Sequence, residues 1–79
     1  MHNKIIPLST LRSMNSGKIV RIDGGGTLHK RLEVLGIREG IRIQKKYFMP
    51  GLGPSIVVAG NTEIAIGHGM AERIWVEVE

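Results

Sequence analysis

Glycine and proline punctuate this chain so often that its apolar runs are short. Eleven Gly and three Pro are spread over 79 residues. Hydrophobic residues nevertheless make up 42% of the chain and charged residues only 23%, a balance too apolar and too weakly charged for intrinsic disorder. A chain of this length has room for one small domain. We therefore expect a single folded domain over residues 1–79, built from short elements.

The chain lacks the features of several protein classes. It contains no Cys, so it forms neither disulfides nor a thiolate metal site, and we expect a cytoplasmic protein. No run approaches the roughly 18 apolar residues of a membrane span, and the first residues lack the apolar core of a secretory signal. We expect no membrane insertion. None of the serines lies in a nucleophile elbow, and so small a chain does not easily enclose a dry pocket, so we expect no enzymatic activity.

Short β-branched and alternating runs predict about five strands. They lie at 18–23, 41–47, 56–59, 62–66 and 74–78. Gly60 and Asn61, between two of these runs, have the composition of a two-residue hairpin turn. Strands joined by such turns must hide their edges, and closing into a partly open barrel does so. The predicted fold is mainly β, a small SH3-like, partly open barrel of about five strands with two short α-helices.

The clearer of the two predicted helices spans 28–35. Three leucines recur at positions i, i+4 and i+7 of this segment and so share one helical face, which should pack inward. They are Leu28, Leu32 and Leu35. Thr27 precedes them as a candidate N-cap, and Gly36 follows where a left-handed C-cap is favoured.

Two other features are less regular. A helix of one to two turns is expected near the start of the chain, capped by Ser9 or Thr10 and ended by Gly17. In the last strand, Trp75 should face away from Ile74 and its alternating neighbours. The sequence leaves two roles open for this tryptophan, a lid on the barrel or an anchor in an interface.

Three segments resemble the FeoA family in order and spacing. They are LSTL at 8–11, KRLEVLGIREG at 30–40 and IAIGHGMAERIWVE at 64–77, and the part RLEVLGIREG is the most specific. The resemblance implies a small cytoplasmic SH3-like accessory protein of bacterial ferrous iron uptake. As its partner it implies the membrane transporter FeoB or the GTP-binding domain of FeoB, at the inner membrane. The same resemblance extends to the C-terminal domains of iron-dependent repressors.

Five residues are expected to contact that partner. Residues 1–49 carry ten Lys or Arg against three Asp or Glu, whereas residues 50–79 carry one Arg against four Glu. Such a charge asymmetry favours an acidic partner surface. Loops on a rigid scaffold often carry recognition residues, and apolar ones occur in the Gly/Pro-rich segment 49–54. The predicted contacts are Lys30, Arg31, Met49, Leu52 and His68.

Nucleic-acid binding is an alternative function. Six basic residues within seventeen positions could form a stripe that follows a phosphate backbone, namely Lys30, Arg31, Arg38, Arg42, Lys45 and Lys46. Aromatic residues for base stacking are few, namely Tyr47, Phe48 and Trp75. No nucleic-acid partner is therefore expected. A metal-responsive regulatory domain is a further alternative, although the chain has no helix-turn-helix of its own.

Metal binding is considered at three residues. His29 and Glu33 are four positions apart and share a helical face, and His68 lies between two glycines in a segment that could approach them. Imidazole and carboxylate suit Fe(II) or Zn(II), but pairs at this spacing are common by chance. We expect no resident cofactor, with weak Fe(II) or Zn(II) binding at His29, Glu33 and His68 as the alternative. The oligomeric state is not fixed by the sequence.

Overall fold

The computed structural model describes residues 3–48 and 53–78, which fold into one open antiparallel sheet. Its strands within these ranges are β1 (Lys4–Pro7), β2 (Ser16–Ile22), β3 (Arg42–Phe48), β4 (Ser55–Ala59), β5 (Thr62–Ile66) and β6 (Ile74–Val78). Helix α1 spans Gly26–Val34, helix α2 spans His68–Ala71, and a 3-10 turn covers Leu8–Thr10. The strand order β1-β6-β2-β3-β4-β5 leaves β1 and β5 at the two edges. The predicted class, a small SH3-like β fold with two short helices, is confirmed.

All five predicted strands form, and one further strand, β1, was missed. Its four residues, KIIP, are too few to show a period of two and end in a proline. β1 exists because β6 offers it a full set of partners, from Lys4 opposite Val78 to Pro7 opposite Trp75. An edge strand also tolerates proline, which cannot donate to a further neighbour.

The predicted first helix is wrong in extent. Only the single 3-10 turn forms, and Leu11 follows it in an extended conformation. Met14 then adopts a positive φ of 72°, and β2 begins at Ser16, before the glycine expected to end a helix. The two leucines of this segment, Leu8 and Leu11, are buried. They reach the core from a single 3-10 turn and an extended residue, so no longer helix is needed to bury them.

A single apolar core lies inside the curved sheet. It receives buried residues from β2 to β6, with Ile6 of β1 packed against them, and is closed by the 3-10 segment and both helices. Its fully buried members include Leu8, Ile19, Ile37, Ile43, Val57, Ile74 and Val76. Each such side chain stabilises the fold by about 1.5–3 kcal/mol relative to exposure. The core therefore uses most of the branched residues that the chain possesses.

The spacing of Ile43, Lys45 and Tyr47 in β3 is that of one strand face, but only the first two lie on the buried face. Ile43 and Lys45 are 2% and 1% exposed, whereas Tyr47 is 48% exposed. The register between β3 and β4 shifts between Lys45 and Tyr47, which marks a β-bulge. A bulge inserts an extra residue and turns the following side chains to the other face. Tyr47 thus leaves the face that its spacing assigned to it.

Helix α1 ends as predicted but begins and packs differently. Gly25 is its N-cap and Thr27 lies inside the helix, with no side-chain cap. At the other end Gly36 has φ 86°, and its N–H donates to the carbonyl of Glu33 while the N–H of Ile37 donates to that of Leu32. These two bonds form the Schellman motif. The C-cap prediction is confirmed and the N-cap prediction is wrong.

Candidate functional site

An open apolar groove lies between α1 and the segment that joins β5 to α2. Its volume is about 540 Å³. One wall consists of Leu28, Leu32, Val34 and Leu35 from α1 and its C-terminus, together with Arg31. The opposite wall consists of Ala65, Ile66, Gly67 and Met70. A groove of this size and character is typical of a ligand or partner site.

The groove exists because only part of the apolar face of α1 packs against the core. Leu32 is buried and Leu28 is partly buried against the core. Leu35 was predicted to pack inward, but it is 47% exposed. It is the C-cap residue, and its ψ of −2° lies at the point where the chain leaves the helix. Val34 next to it is 86% exposed, so two aliphatic side chains flank the groove uncovered.

Arg31 is the charged side chain that lines this groove. It is exposed and forms no hydrogen bond or ion pair with any residue in the described ranges. Its position in the last turn of α1 is favourable, because a cation stabilises the negative end of the helix dipole. That stabilisation does not require its guanidinium to lie beside apolar side chains. Among the described residues, the groove thus combines a large apolar surface with one unpaired cation.

The other predicted contact residues lie apart from the groove or outside the described chain. Lys30 is exposed on α1 but does not line the groove. His68 begins α2, where its Nε2 lies 3.6 Å from Oε2 of Glu72, four residues further on. Met49 and Leu52 lie outside the described residues. Of the three predicted contacts within the described residues, only Arg31 lines the groove.

The metal candidates do not come together. Nδ1 of His29 donates to the carbonyl of Gly25 at 2.9 Å, which holds the imidazole against the start of its own helix. His68 lies beside Glu72 rather than beside His29 or Glu33. Within residues 3–48 and 53–78, no three His, Asp or Glu side chains are grouped so that they could hold a metal ion. The prediction of weak Fe(II) or Zn(II) binding finds no shared site there.

The predicted basic stripe is interrupted. Lys45 is 1% exposed, and its Nζ donates to the carbonyl of Ser9 at 3.4 Å. Burial lowers the pKa of Lys45, since an apolar environment disfavours the charged amine. Lys46 is exposed, but its Nζ lies 3.4 Å from a carboxylate oxygen of Glu63. Two of the six cations are therefore unavailable or paired, and a continuous phosphate-binding track is not formed.

Trp75 forms a polar cluster that the sequence did not reveal. Its indole Nε1 donates to Oδ2 of Asp23 at 2.9 Å, and the guanidinium of Arg21 lies 4.7 Å from the ring centroid. Arg21 and Asp23 also form an ion pair at 3.0 Å. Because Arg21 is cross-strand from Trp75, the contact depends on the pairing of β2 with β6. The tryptophan is half-buried by these neighbours on the sheet surface.

The groove-lining residues other than Arg31 were read from sequence as core or were not considered. Leucine spacing on α1 does signal an apolar face, but that signal does not say what covers the face. Val34 was a usable signal of an uncovered apolar surface. It lies beside the leucine face, so the apolar surface of α1 is wider than the narrow stripe that packs on a core.

Comparison with known proteins decides the family. The model of the FeoA domain matches residues 6–78. This chain belongs to the FeoA family. The FeoA match includes both walls of the groove, and membership makes the chain an accessory domain of iron transport. No curated protein sequence matches it.

Solved structures agree with this assignment. A crystal structure titled iron uptake regulatory protein (FeoA) is 33% identical, with 95% of this chain and 100% of that chain covered and a TM-score of 0.86. Iron(II) transport protein A from Clostridium thermocellum is 32% identical, with 92% and 45% covered and a TM-score of 0.84. This FeoA domain therefore shares both sequence and fold with iron transport proteins.

The FeoA fold also occurs in a regulator. A manganese-dependent transcriptional repressor is 20% identical, with all of this chain and 44% of that chain covered and a TM-score of 0.86. At this identity the likeness concerns the fold alone.

Neither helix of the described FeoA chain has the length and hydrophobicity that a bilayer span requires.

Proposed function

We propose that this FeoA domain is a non-catalytic accessory of bacterial ferrous iron uptake that acts by binding the transporter FeoB at its cytoplasmic side. The observation that carries this proposal is the apolar groove beside α1. Val34 and Leu35 are exposed there in a chain that otherwise buries most of its branched residues. Uncovered aliphatic side chains around a groove are typical of a protein-binding surface.

Arg31 and Lys30 give this surface a positive charge on α1. A partner with acidic residues is therefore attracted to the helix that borders the groove. Met49, Leu52 and His68 remain proposed contacts, and of these His68 is described and does not line the groove. The proposal requires no resident metal or cofactor, and iron is the cargo of the transporter.

Replacing Val34 by Gln tests the docking surface. Val34 is 86% exposed, so the change leaves the core intact, and Gln is a good helix former. If a partner buries Val34, the loss of about 1.5 kcal/mol of apolar burial weakens binding roughly ten-fold. Co-purification of FeoB from detergent-solubilised membranes with the tagged protein measures the effect. Cells with this variant should also take up ferrous iron more slowly.

Ile5→Gln is the matched control. Ile5 is also an exposed aliphatic residue, 56% exposed, but it lies on β1 at the opposite edge of the sheet. This variant should retain FeoB as well as the wild type does. Equal retention by both variants would contradict a docking site beside α1.

A further inference from the structure

The unpaired guanidinium of Arg31 restricts what can cover the groove. An apolar partner that covered this cation without offering an acceptor would remove the water bound to the guanidinium and replace none of its hydrogen bonds. Burying a charged donor in this way costs more free energy than burying a neutral one. A carboxylate avoids that cost, because its two oxygens match the fork of the guanidinium. No carboxylate of the described residues reaches Arg31. The partner must therefore supply it.

The edge of β5 supplies a second restriction. Gly60 and Asn61 form a two-residue turn, so Ala59 and Thr62, which flank it, are a hydrogen-bonded pair. Because such pairs alternate along an antiparallel ladder, the backbone groups of Glu63 and Ala65 point away from β4. β5 is the last strand of the described sheet, and Ala65 lines the groove. An extended segment entering the groove thus meets the N–H and C=O of Ala65, which are not paired with β4.

A second copy of this chain is a poor occupant. A symmetric contact through the groove would bring α1 against α1 and place Arg31 near its own equivalent, and like charges in an interface repel. The apolar and acidic segment around Glu77 is not free to insert, since β6 is paired with β1 on one side and β2 on the other. A different protein with the opposite charge fits better.

We propose that the groove binds an extended apolar segment of the transporter, which pairs with the β5 edge at Ala65 and places a carboxylate on Arg31. The proposal rests on the proposed function and names the chemistry of the docked segment. The carboxylate belongs to an Asp or Glu side chain or to a chain terminus. Apolar side chains of the segment cover Val34 and Leu35, and Arg31 selects against segments that lack an acid.

Arg31→Gln and Arg38→Gln form a matched pair for the test. Both remove one positive charge from an exposed arginine on or just after α1, and of the two only Arg31 lines the groove. The probes are the detergent-solubilised transporter and overlapping synthetic peptides that cover its cytoplasmic segments. Arg31→Gln should weaken binding about ten-fold or more, as loss of a charge-assisted hydrogen bond does, and Arg38→Gln by less than about two-fold.

The peptides that bind identify the carboxylate. Each is also synthesised with Asp and Glu replaced by Asn and Gln, and separately with an amidated C-terminus. The peptide that lacks the recognised carboxylate should bind the wild-type protein about as weakly as the intact peptide binds Arg31→Gln. When that altered peptide is combined with Arg31→Gln, the affinity should fall little further. Binding should also slow hydrogen exchange at the amide of Ala65, because that N–H becomes paired.

The outcomes separate this proposal from the proposed function. If Val34→Gln weakens binding but Arg31→Gln does not, docking stands and carboxylate recognition is overturned. Equal loss in Arg31→Gln and Arg38→Gln would reduce the role of Arg31 to general charge attraction and overturn carboxylate recognition as well. Self-association of the wild type that Arg31→Gln abolishes would assign the groove to a second copy. If neither Val34→Gln nor Arg31→Gln affects the transporter complex, the proposed function itself fails.

Discussion

At the scale of single residues, Lys45 departs most from what its type predicts. Lysine is rarely buried, yet this one is 1% exposed and reaches the backbone of Ser9 from β3. Its long aliphatic stem can fill core space while the amine finds a carbonyl at the edge of the core. Lys45 thereby links β3 to the 3-10 turn, two segments that the chain separates by more than thirty residues.

The burial of Lys45 predicts a pH dependence of stability. Because its pKa is lowered from 10.5 in the folded protein, the unfolded chain binds more protons at this site between the lowered value and 10.5. The free energy of unfolding therefore rises as the pH increases through that window, and charged Lys45 costs stability below it. Chemical denaturation at neutral and alkaline pH should show a smaller rise for Lys45→Met than for the wild type.

Lys18→Met is the control for this measurement, since Lys18 is an exposed lysine of β2. It should show the same alkaline rise as the wild type. A Lys45→Met profile that runs parallel to both would mean that Lys45 titrates alike in the folded and unfolded states.

At the scale of elements, the end of α1 positions the groove. Gly36 terminates the helix at Val34 and turns the chain so that Ile37 enters the core at 1% exposure. Without this turn, Leu35 would continue the leucine stripe on the helix. The sequence predicted the left-handed cap correctly, because glycine adopts positive φ without the steric penalty that other residues meet. It did not predict that Leu35 stays exposed, because that depends on whether another element lies opposite.

Gly36→Ala should destabilise the protein by about 1 kcal/mol, because alanine is strained at positive φ. A Cβ would meet no other atom there, so the effect isolates the backbone conformation. Gly69→Ala in α2 is the matched control, because its Cβ also meets nothing and its φ is not positive. Thermal denaturation should show a lower Tm for Gly36→Ala and an unchanged or higher Tm for Gly69→Ala. Equal Tm values for Gly36→Ala and Gly69→Ala would contradict the stabilising role of the positive φ at Gly36.

At the scale of the whole molecule, the sheet order redistributes the charge. The sequence divides into a basic part, residues 1–49, and an acidic part, residues 50–79. In the fold, β6 of the acidic part lies between β1 and β2 of the basic part, and Glu77 lies opposite Lys18. Glu63 likewise pairs with Lys46. Acidic side chains thus lie opposite two of the basic residues in the described sheet, which reduces its exposed positive charge.

Binding to the transporter should therefore depend only weakly on salt. Where a single cation contacts the partner, salt screens only one, partly covered charge pair. A series of phosphate contacts releases a counterion at every contact, so its affinity falls steeply with salt. Measuring the dissociation constant at low and at physiological ionic strength checks this. A decrease in affinity by orders of magnitude would indicate a broad basic interface, and mixed-sequence oligonucleotides would then be the partner to test.

The sequence by itself determined the local features of this protein. Five strands, the hairpin turn at Gly60, the C-cap at Gly36 and the resemblance to FeoA all follow from spacing and residue type over short stretches. Only the tertiary structure decided that β1 forms, that Lys45 is buried and that Leu35 borders a groove beside Arg31. Each of these depends on a neighbour distant in the chain, and a local period shows that a face is apolar without showing what covers it.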